Sequence, residues 1–458
     1  MKKSNLRFRL LGYINSFLAS SFLILLFKRE LSDFDYSLWG ILTSLTLVFS
    51  IITQFTMPNM IEKDFIELEK NIKIDLILIY FKYLVISSPF LYIMIFGIYN
   101  LNPYYYSHKY TIPLLILLLI GVENSINLIN KILVTKKESS TFDKVELFIV
   151  KYLRLIVFIL YFFLISKISF LEILILHFAT RLTSLLILLF LKNNFYKDFE
   201  LHKLKGIEKD FYKRNINSNL NNFYINLGQF FFYNFIYIAS SYFFTVENYA
   251  NLSLYFIIFI FCRNFFDAFA NIKTPEIKKD TNYSKLDVFE KDYFLYSIPI
   301  VLIFLLAIES IFRFNLYNFF GNFISKDSSQ FIFAGIFHGF ITGIYSFRHY
   351  VFKFDKKIYR THLIFYLTNI VFNGFIYYIL IKNMYPIFAL TAVLILYELL
   401  NILFYYHFFF RLSNKKQMYH FSFSFLLLLL SIFINNFYFY LFVFFVSIFQ
   451  LVKYKLYQ

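Results

Sequence analysis

The chain has 458 residues, of which 59% are hydrophobic and only 16% charged, with 68 Phe and 39 Tyr. So little polar sequence cannot clothe a soluble domain of this length, which excludes a soluble globular protein. The net charge of +17 would point to nucleic acid on a soluble chain, but here the positive residues lie in loops between apolar runs, which is the pattern of membrane topology.

A helix needs about 20 apolar residues to cross a bilayer. In chain order the candidate spans are 10–27, 37–57, 75–97, 111–133, 146–165, 168–191, 219–244, 250–271, 293–312, 329–350, 361–381, 386–410, 421–434 and 437–452. The last two are short enough to form one tight hairpin, so the alternative is twelve spans and a re-entrant pair. The expected fold is therefore all-α, a polytopic membrane protein of about 14 transmembrane helices. The start, MKKSNLRFR before an apolar run, is signal-like. No small-x-small cleavage site follows, so it reads as an uncleaved first span.

Lysine and arginine set the orientation. With the N-terminus inside, the cytoplasmic segments carry 33 of them, the outer segments 7 and the spans 5. A missed span would invert every later loop and spoil that asymmetry, so both termini are expected in the cytoplasm of a bacterial inner membrane. No outer loop is long enough to form an extracytoplasmic domain. The longest inner connection divides the chain into an N-lobe at 1–192 (helices 1–6), a cytoplasmic linker at 193–218, a C-lobe at 219–411 (helices 7–12) and two C-terminal helices at 412–458.

Ionisable residues inside spans are the functional candidates, because each costs about 2.5–3.5 kcal/mol at mid-span and must face protein or water. Lys82 lies on span 3 and is within snorkelling reach of an interface. Glu123 on span 4 and Glu398 on span 12 are carboxylates without a local partner, suited to proton coupling or to a neutral hydrogen bond at a helix contact. Lys151 and Arg154 are three apart on span 5 and share a face. Arg181 lies near the middle of span 6, either as a cavity cation for an anionic ligand or as the partner of a carboxylate such as Glu172 or Glu123. Arg263 and Asp267, four apart on span 8, read as an ion pair or as a cavity cation and a coupling acid, and Glu309 with Arg313 has the same spacing. Polar stripes at helical spacing occur at Asn127 and Asn130 beside Glu123, and at Asn222, Asn226 and Gln229 on span 7. They suit sugar hydroxyls or helix–helix contacts. A single cysteine, Cys262, rules out an intrachain disulfide, no histidine pair has metal-site spacing, and no cofactor or metal is expected.

The two halves echo each other. Tyr36 aligns with Tyr249 at an offset of 213, Pro58 with Pro275 at 217, and Tyr83 and Pro89 with Tyr293 and Pro299 at 210. The order and near-constant offset predict a duplicated six-span unit with a pseudo-twofold axis along the membrane normal.

The segment FKRELSDFDYSLWGILTSLTLVFSIITQFTMPNMIEKDF resembles the opening of Wzx-type polysaccharide and O-antigen flippases of the multidrug/oligosaccharidyl-lipid/polysaccharide (MOP) superfamily. Those proteins have an outer turn of the type L-x-x-x-(D/E)-(Y/F)-(G/S), a second span and a Gly-Leu-Pro exit. Ser37 stands here at the small position, and the exit is Thr56-Met57-Pro58. The resemblance implies two pseudo-symmetric six-helix lobes plus two C-terminal helices, a MATE/MOP-like fold. It further implies a non-enzymatic flippase that moves a polyprenyl-diphosphate-linked oligosaccharide from the inner to the outer leaflet by alternating access. Membrane lipid and other glycan-assembly proteins would be its partners. On that reading Arg181, Arg154, Lys151, Lys82 and Arg263 are the cavity cations for the diphosphate. Two alternatives stand beside it. Glu30, Asp33 and Asp35 in the outer turn would serve a glycosyltransferase that uses lipid-phosphate sugars. A MATE-type cation or drug antiporter of the same fold would instead favour a surplus of buried acids.

Overall fold

A computed structural model describes most of residues 26–54, 70–101, 108–135, 144–165, 169–191, 236–277 and 356–383, with shorter stretches at 12–24, 233–234, 297–314, 332–342, 393–401 and 442–446. Among these residues the chain is almost wholly helical and no strand occurs. Helices α1 (Asp33–Gln54), α2 (Lys70–Leu101), α3 (Thr111–Thr135), α4 (Val150–Leu164), α5 (Phe170–Leu191), α6 (Val246–Ile277) and α7 (Lys356–Asn383) cover expected spans 2–6, 8 and 11. A π-helical turn, Val145–Ile149, leads directly into α4.

Among the described residues, three helical stretches are long and apolar enough to cross a membrane, Asp33–Thr53, Thr111–Asn130 and Phe170–Phe190. At 1.5 Å per residue a 22-residue helix such as α5 is about 33 Å long, matching a hydrocarbon core. Shorter apolar helices run over Leu84–Asn100, Ser297–Ala307 and Leu367–Leu380. The count of 14 is not established by these, since expected spans 13 and 14 lie almost wholly outside the described residues.

Local chemistry explains where the helices start and how they tolerate polar residues. Ser32 precedes α1, its hydroxyl accepting from the Asp35 amide at 3.1 Å and donating to the Asp35 carboxylate at 2.8 Å. Ser169 precedes α5 and forms a full capping box. The Glu172 amide donates to its hydroxyl at 3.3 Å, and its own amide donates to the Glu172 carboxylate at 3.1 Å. Pro89 lies within α2 and has no N–H to give the Val85 carbonyl, and the Ser88 hydroxyl donates to that carbonyl at 2.8 Å instead.

The chain packs as two compact units, one of residues 1–253 with 360–370 and the other of 254–359 with 371–458. In the first, α3 packs against α1, α2 and α5. Asn124 of α3 donates to the Thr53 hydroxyl of α1 at 2.5 Å, and Trp39 of α1 meets the His177 ring of α5 edge-on at 5.1 Å. Phe27 packs against Trp39, Phe158 and Phe162, tying the first span to α1 and α4. Below them Val122, Ile126, Val145, Val150 and Leu188 form an apolar cluster. In the second unit, segment 332–342 lies close against α6. Gly335 and Gly339, four apart, let the backbones approach, and Tyr255 donates or accepts a 2.6 Å hydrogen bond with His338 Nδ1.

Candidate functional site: a buried charge cluster on three helices

Two carboxylates in the first unit converge on one guanidinium. Arg181, mid-way along α5, reaches Glu123 of α3 through two parallel bonds, Nε to Oε1 at 2.5 Å and Nη2 to Oε2 at 2.7 Å. Its Nη1 donates to Glu146 Oε2 at 2.8 Å, and the Ser184 hydroxyl, one turn along α5, donates to the other Glu146 oxygen. Bidentate charge-assisted bonding of this kind is the geometry for which a planar guanidinium is suited. It makes one buried and two partly buried charges tolerable by spending both carboxylates on one cation.

Two further cations lie beside this triad and share none of its bonds. Arg154 and Lys151 on α4 are near enough to feel the repulsion of Arg181 and the attraction of Glu123 and Glu146. Lys151 donates to the Ser20 hydroxyl at 3.1 Å, a weak neutral partner. Arg154 lies over the Phe158 ring at 5.8 Å, and its buried Nε has no hydrogen-bond partner among the described residues. His177 of α5 faces the same three cations, and its buried Nδ1 likewise lacks a partner among the described residues. Among the described residues, three cations against two carboxylates leave the cluster with a surplus positive charge and an unmade donor bond at Arg154 Nε, an arrangement open to an anion.

The structure brings together Glu123, Lys151, Arg154 and Arg181 from the sequence-derived candidates. It resolves the choice of partner for Arg181 in favour of Glu123, while Glu172 is engaged by Ser169 and the Tyr161 hydroxyl. Asn127 is exposed, and Asn130 is half-buried with an Oδ1 that accepts no bond among the described residues. Arg263 is buried on α6 in the second unit, near His338. Lys82 and Asp267 fall on α2 and α6, with side chains outside the described set. Asn222, Asn226, Gln229 and Glu398 lie outside the described residues. The outer-turn acids are spent locally, Asp33 on Lys28 at 2.5 Å, Glu30 on Arg29 at 3.0 Å and Asp35 on Ser32. Sequence reasoning missed Glu146, Ser184 and His177. Glu146, a carboxylate at the first turn of an expected span that also carries two cations, was the available signal.

No family profile and no curated protein matches the sequence. Solved structures do. A lipid II flippase MurJ in an inward closed conformation superposes with a TM-score of 0.61 at 16% identity, covering 97% of this chain and 96% of that one. An outward-facing multidrug resistance MATE family transporter of the MOP superfamily gives 0.53 at 12% identity over 90% and 97%. The chain shares the fold of these two structures. An inward-facing MATE family structure agrees, with a TM-score of 0.53 at 12% identity. With three helices among the described residues long and apolar enough to cross a bilayer, and the fold of membrane proteins, the chain is a multi-pass membrane protein.

Proposed function

We propose that this protein is a flippase for a polyprenyl-diphosphate-linked oligosaccharide, an O-antigen, capsule or exopolysaccharide unit, carried from the inner to the outer leaflet of a bacterial inner membrane by alternating access. The observation that carries the reading is the charge balance of the cluster. Among the described residues Arg181 consumes the two carboxylates of the cluster, and Lys151 and Arg154 remain as surplus cations with weak or unmade bonds. An anionic diphosphate supplies the missing acceptors. A cation or drug antiporter needs the reverse, a surplus of acid, and here Glu123 and Glu146 are already held.

In the orientation set by the lysine and arginine bias, with both termini inside, α4 enters from the cytoplasm and places Lys151 and Arg154 in its inner half. That is the leaflet from which such a substrate starts. Lys151 and Arg154 meet the diphosphate first, Arg181 fixes the cluster, and Arg263 offers a second cation in the C-lobe. Asn130, Asn222, Asn226 and Gln229 meet sugar hydroxyls, and Glu398 and Asp267 are the remaining candidates for ion coupling. The 14 spans, the lobes at 1–192 and 219–411, the linker and the pair at 412–458 complete the proposal.

The test is reconstitution into vesicles with a fluorescent polyprenyl-diphosphate saccharide and a membrane-impermeant quencher. The wild-type chain exposes inner-leaflet lipid to the quencher. Arg154→Ala slows that step by about a factor of ten, the loss of one charge-assisted bond of about 1.5 kcal/mol or more. Equal rates for the two proteins, or efflux of a lipophilic cation instead, would defeat the proposal.

A further inference from the structure

The turn that introduces α4 is not α-helical. The Val150 amide donates to the Val145 carbonyl, closing a five-residue step, so Val145–Ile149 holds one residue more than an α turn. Its effect shows in the core. Val145 and Val150 are each 1% exposed and belong to one apolar cluster with Val122 and Leu188. Regular α spacing would set two residues five apart about 140° from each other around the axis, so they could not share that cluster.

Everything beyond the turn inherits its register. Lys151, Arg154 and Phe158 lie on the inner face of α4, and Ile149, Tyr152, Ile156 and Leu160 are exposed on the other. Closing the wide turn without removing a residue would rotate α4 by about 100° and carry Lys151 and Arg154 away from Arg181. The one polar side chain of the turn, Glu146, is bonded to Arg181 and Ser184 on α5, and Arg181 is in turn bonded to α3. π turns occur often at functional sites, where they re-aim a face of a helix.

We infer that the π turn Val145–Ile149 aims Lys151 and Arg154 at the anionic headgroup, and that Glu146 is the positioning residue that latches it to α5. The inference rests on the headgroup reading given above. The rotation itself can be measured without any substrate.

The experiment places a single nitroxide at Ile156→Cys in a Cys262→Ala background, in neutral phospholipid vesicles, and reads its accessibility to lipid-dissolved oxygen. The parent gives high accessibility. Glu146→Leu, which releases the latch yet suits a buried site, turns position 156 inward and lowers it. Deleting Ile149 in the Glu146→Leu chain removes the extra residue, so a regular helix restores the parent value. Unchanged accessibility in Glu146→Leu, or a fall that the deletion does not reverse, overturns the inference. The Ile149 deletion alone is the second variant. It keeps the parent accessibility if the turn only sets register, and a large fall there also overturns the inference. The same proteins are then assayed for flipping. Loss in Glu146→Leu and recovery in the double variant support both readings. Rotation with undiminished flipping defeats the headgroup assignment of Arg154 and Lys151 and leaves the turn's control of register standing.

Discussion

A Cβ atom built on Gly40 would lie 2.9 Å from the Ser253 hydroxyl, and these two residues are 213 positions apart, the same offset that aligns Tyr36 with Tyr249. Tyr36 and Tyr249 are both fully buried one turn earlier on α1 and α6. The Gly40–Ser253 contact thus falls one turn along each helix from the two tyrosines that the same sequence offset pairs. The Tyr237 hydroxyl fills the remaining space, bonded to Ser253 at 2.5 Å, while its ring stacks on Tyr249 with centroids 5.0 Å apart.

Gly40→Ala therefore overpacks a fully occupied contact and is expected to cost about 1–3 kcal/mol. The obstruction is a hydroxyl and not backbone, so Tyr237→Phe should return part of that loss in the double variant. Thermal unfolding in detergent of the two single variants and the double measures the coupling. Strict additivity would show that the hydroxyl is not what Gly40 accommodates.

Arg181 is the keystone of its cluster. Arg181→Met leaves the buried Glu146 and the partly buried Glu123 without their shared cation, a change of up to about 3–5 kcal/mol, the cost of breaking a buried pair from one side. The variant should accumulate poorly in membranes and melt early. Replacing all three residues by apolar ones of similar volume, Arg181→Met with Glu123→Leu and Glu146→Leu, should recover most of the stability, since well-packed apolar groups serve as well as a buried ion triad. Flipping should stay lost in the triple variant, because the latch on α4 is gone. A triple variant no more stable than Arg181→Met would refute this account of the cluster's energetics.

How much of this was legible beforehand depended on the range of the interaction. Apolar runs and basic loops are local patterns, and α1–α7 fall where those patterns placed them. The cations Lys151, Arg154 and Arg181 stood out because a charge in a span is conspicuous by itself. Glu146 did not, because at the first turn of a span it looks like an interfacial acid. Only the packing of α5 against the turn, 35 residues away in the chain, makes it a partner. The π turn was illegible for a similar reason: VELFI carries no proline or glycine to announce it, and its register is set by the valines it buries. His177, flanked by apolar residues, was indistinguishable from an ordinary core histidine until Trp39 and the cations were seen around it.

The start of α5 carries a signature that sequence alone could have shown, Ser169-Phe170-Leu171-Glu172, with serine and glutamate three apart before an apolar run. Glu172 also accepts from the Tyr161 hydroxyl at 2.7 Å, so it links the end of α4 to the start of α5. Ser169→Ala removes the hydroxyl from the cap and should cost about 1 kcal/mol. Ser169→Asp should cost much less as a cap in itself, but it brings a second carboxylate beside Glu172 and forfeits the hydroxyl's donation at 2.8 Å. Both variants are expected below wild type in melting temperature, with flipping per folded molecule unchanged because the cap lies far along α5 from Arg181.

Gly339 offers the sharpest contrast with Gly40. A Cβ there would lie 2.6 Å from the Cβ of Cys262, 2.9 Å from the Arg263 amide nitrogen and 3.0 Å from the Phe259 carbonyl oxygen, all on α6. Gly335, one turn earlier, would meet the Tyr255 carbonyl oxygen at 2.8 Å. Apart from the Cys262 Cβ, which is fixed to its helix, these obstacles are backbone, so nothing can swing aside, and any substitution must push segment 332–342 off α6. Separation would also part His338 from Tyr255 and from Phe259, whose ring stacks on it with centroids 4.1 Å apart. Gly339→Val should thus destabilise the second unit by more than Gly40→Ala does the first, at the upper end of the roughly 1–3 kcal/mol of ordinary overpacking or beyond it. Neither Cys262→Gly nor Tyr255→Phe should relieve it, because the backbone contacts remain. Rescue by Cys262→Gly, read as a recovered melting temperature, would mean that the cysteine side chain and not the helix backbone sets the approach.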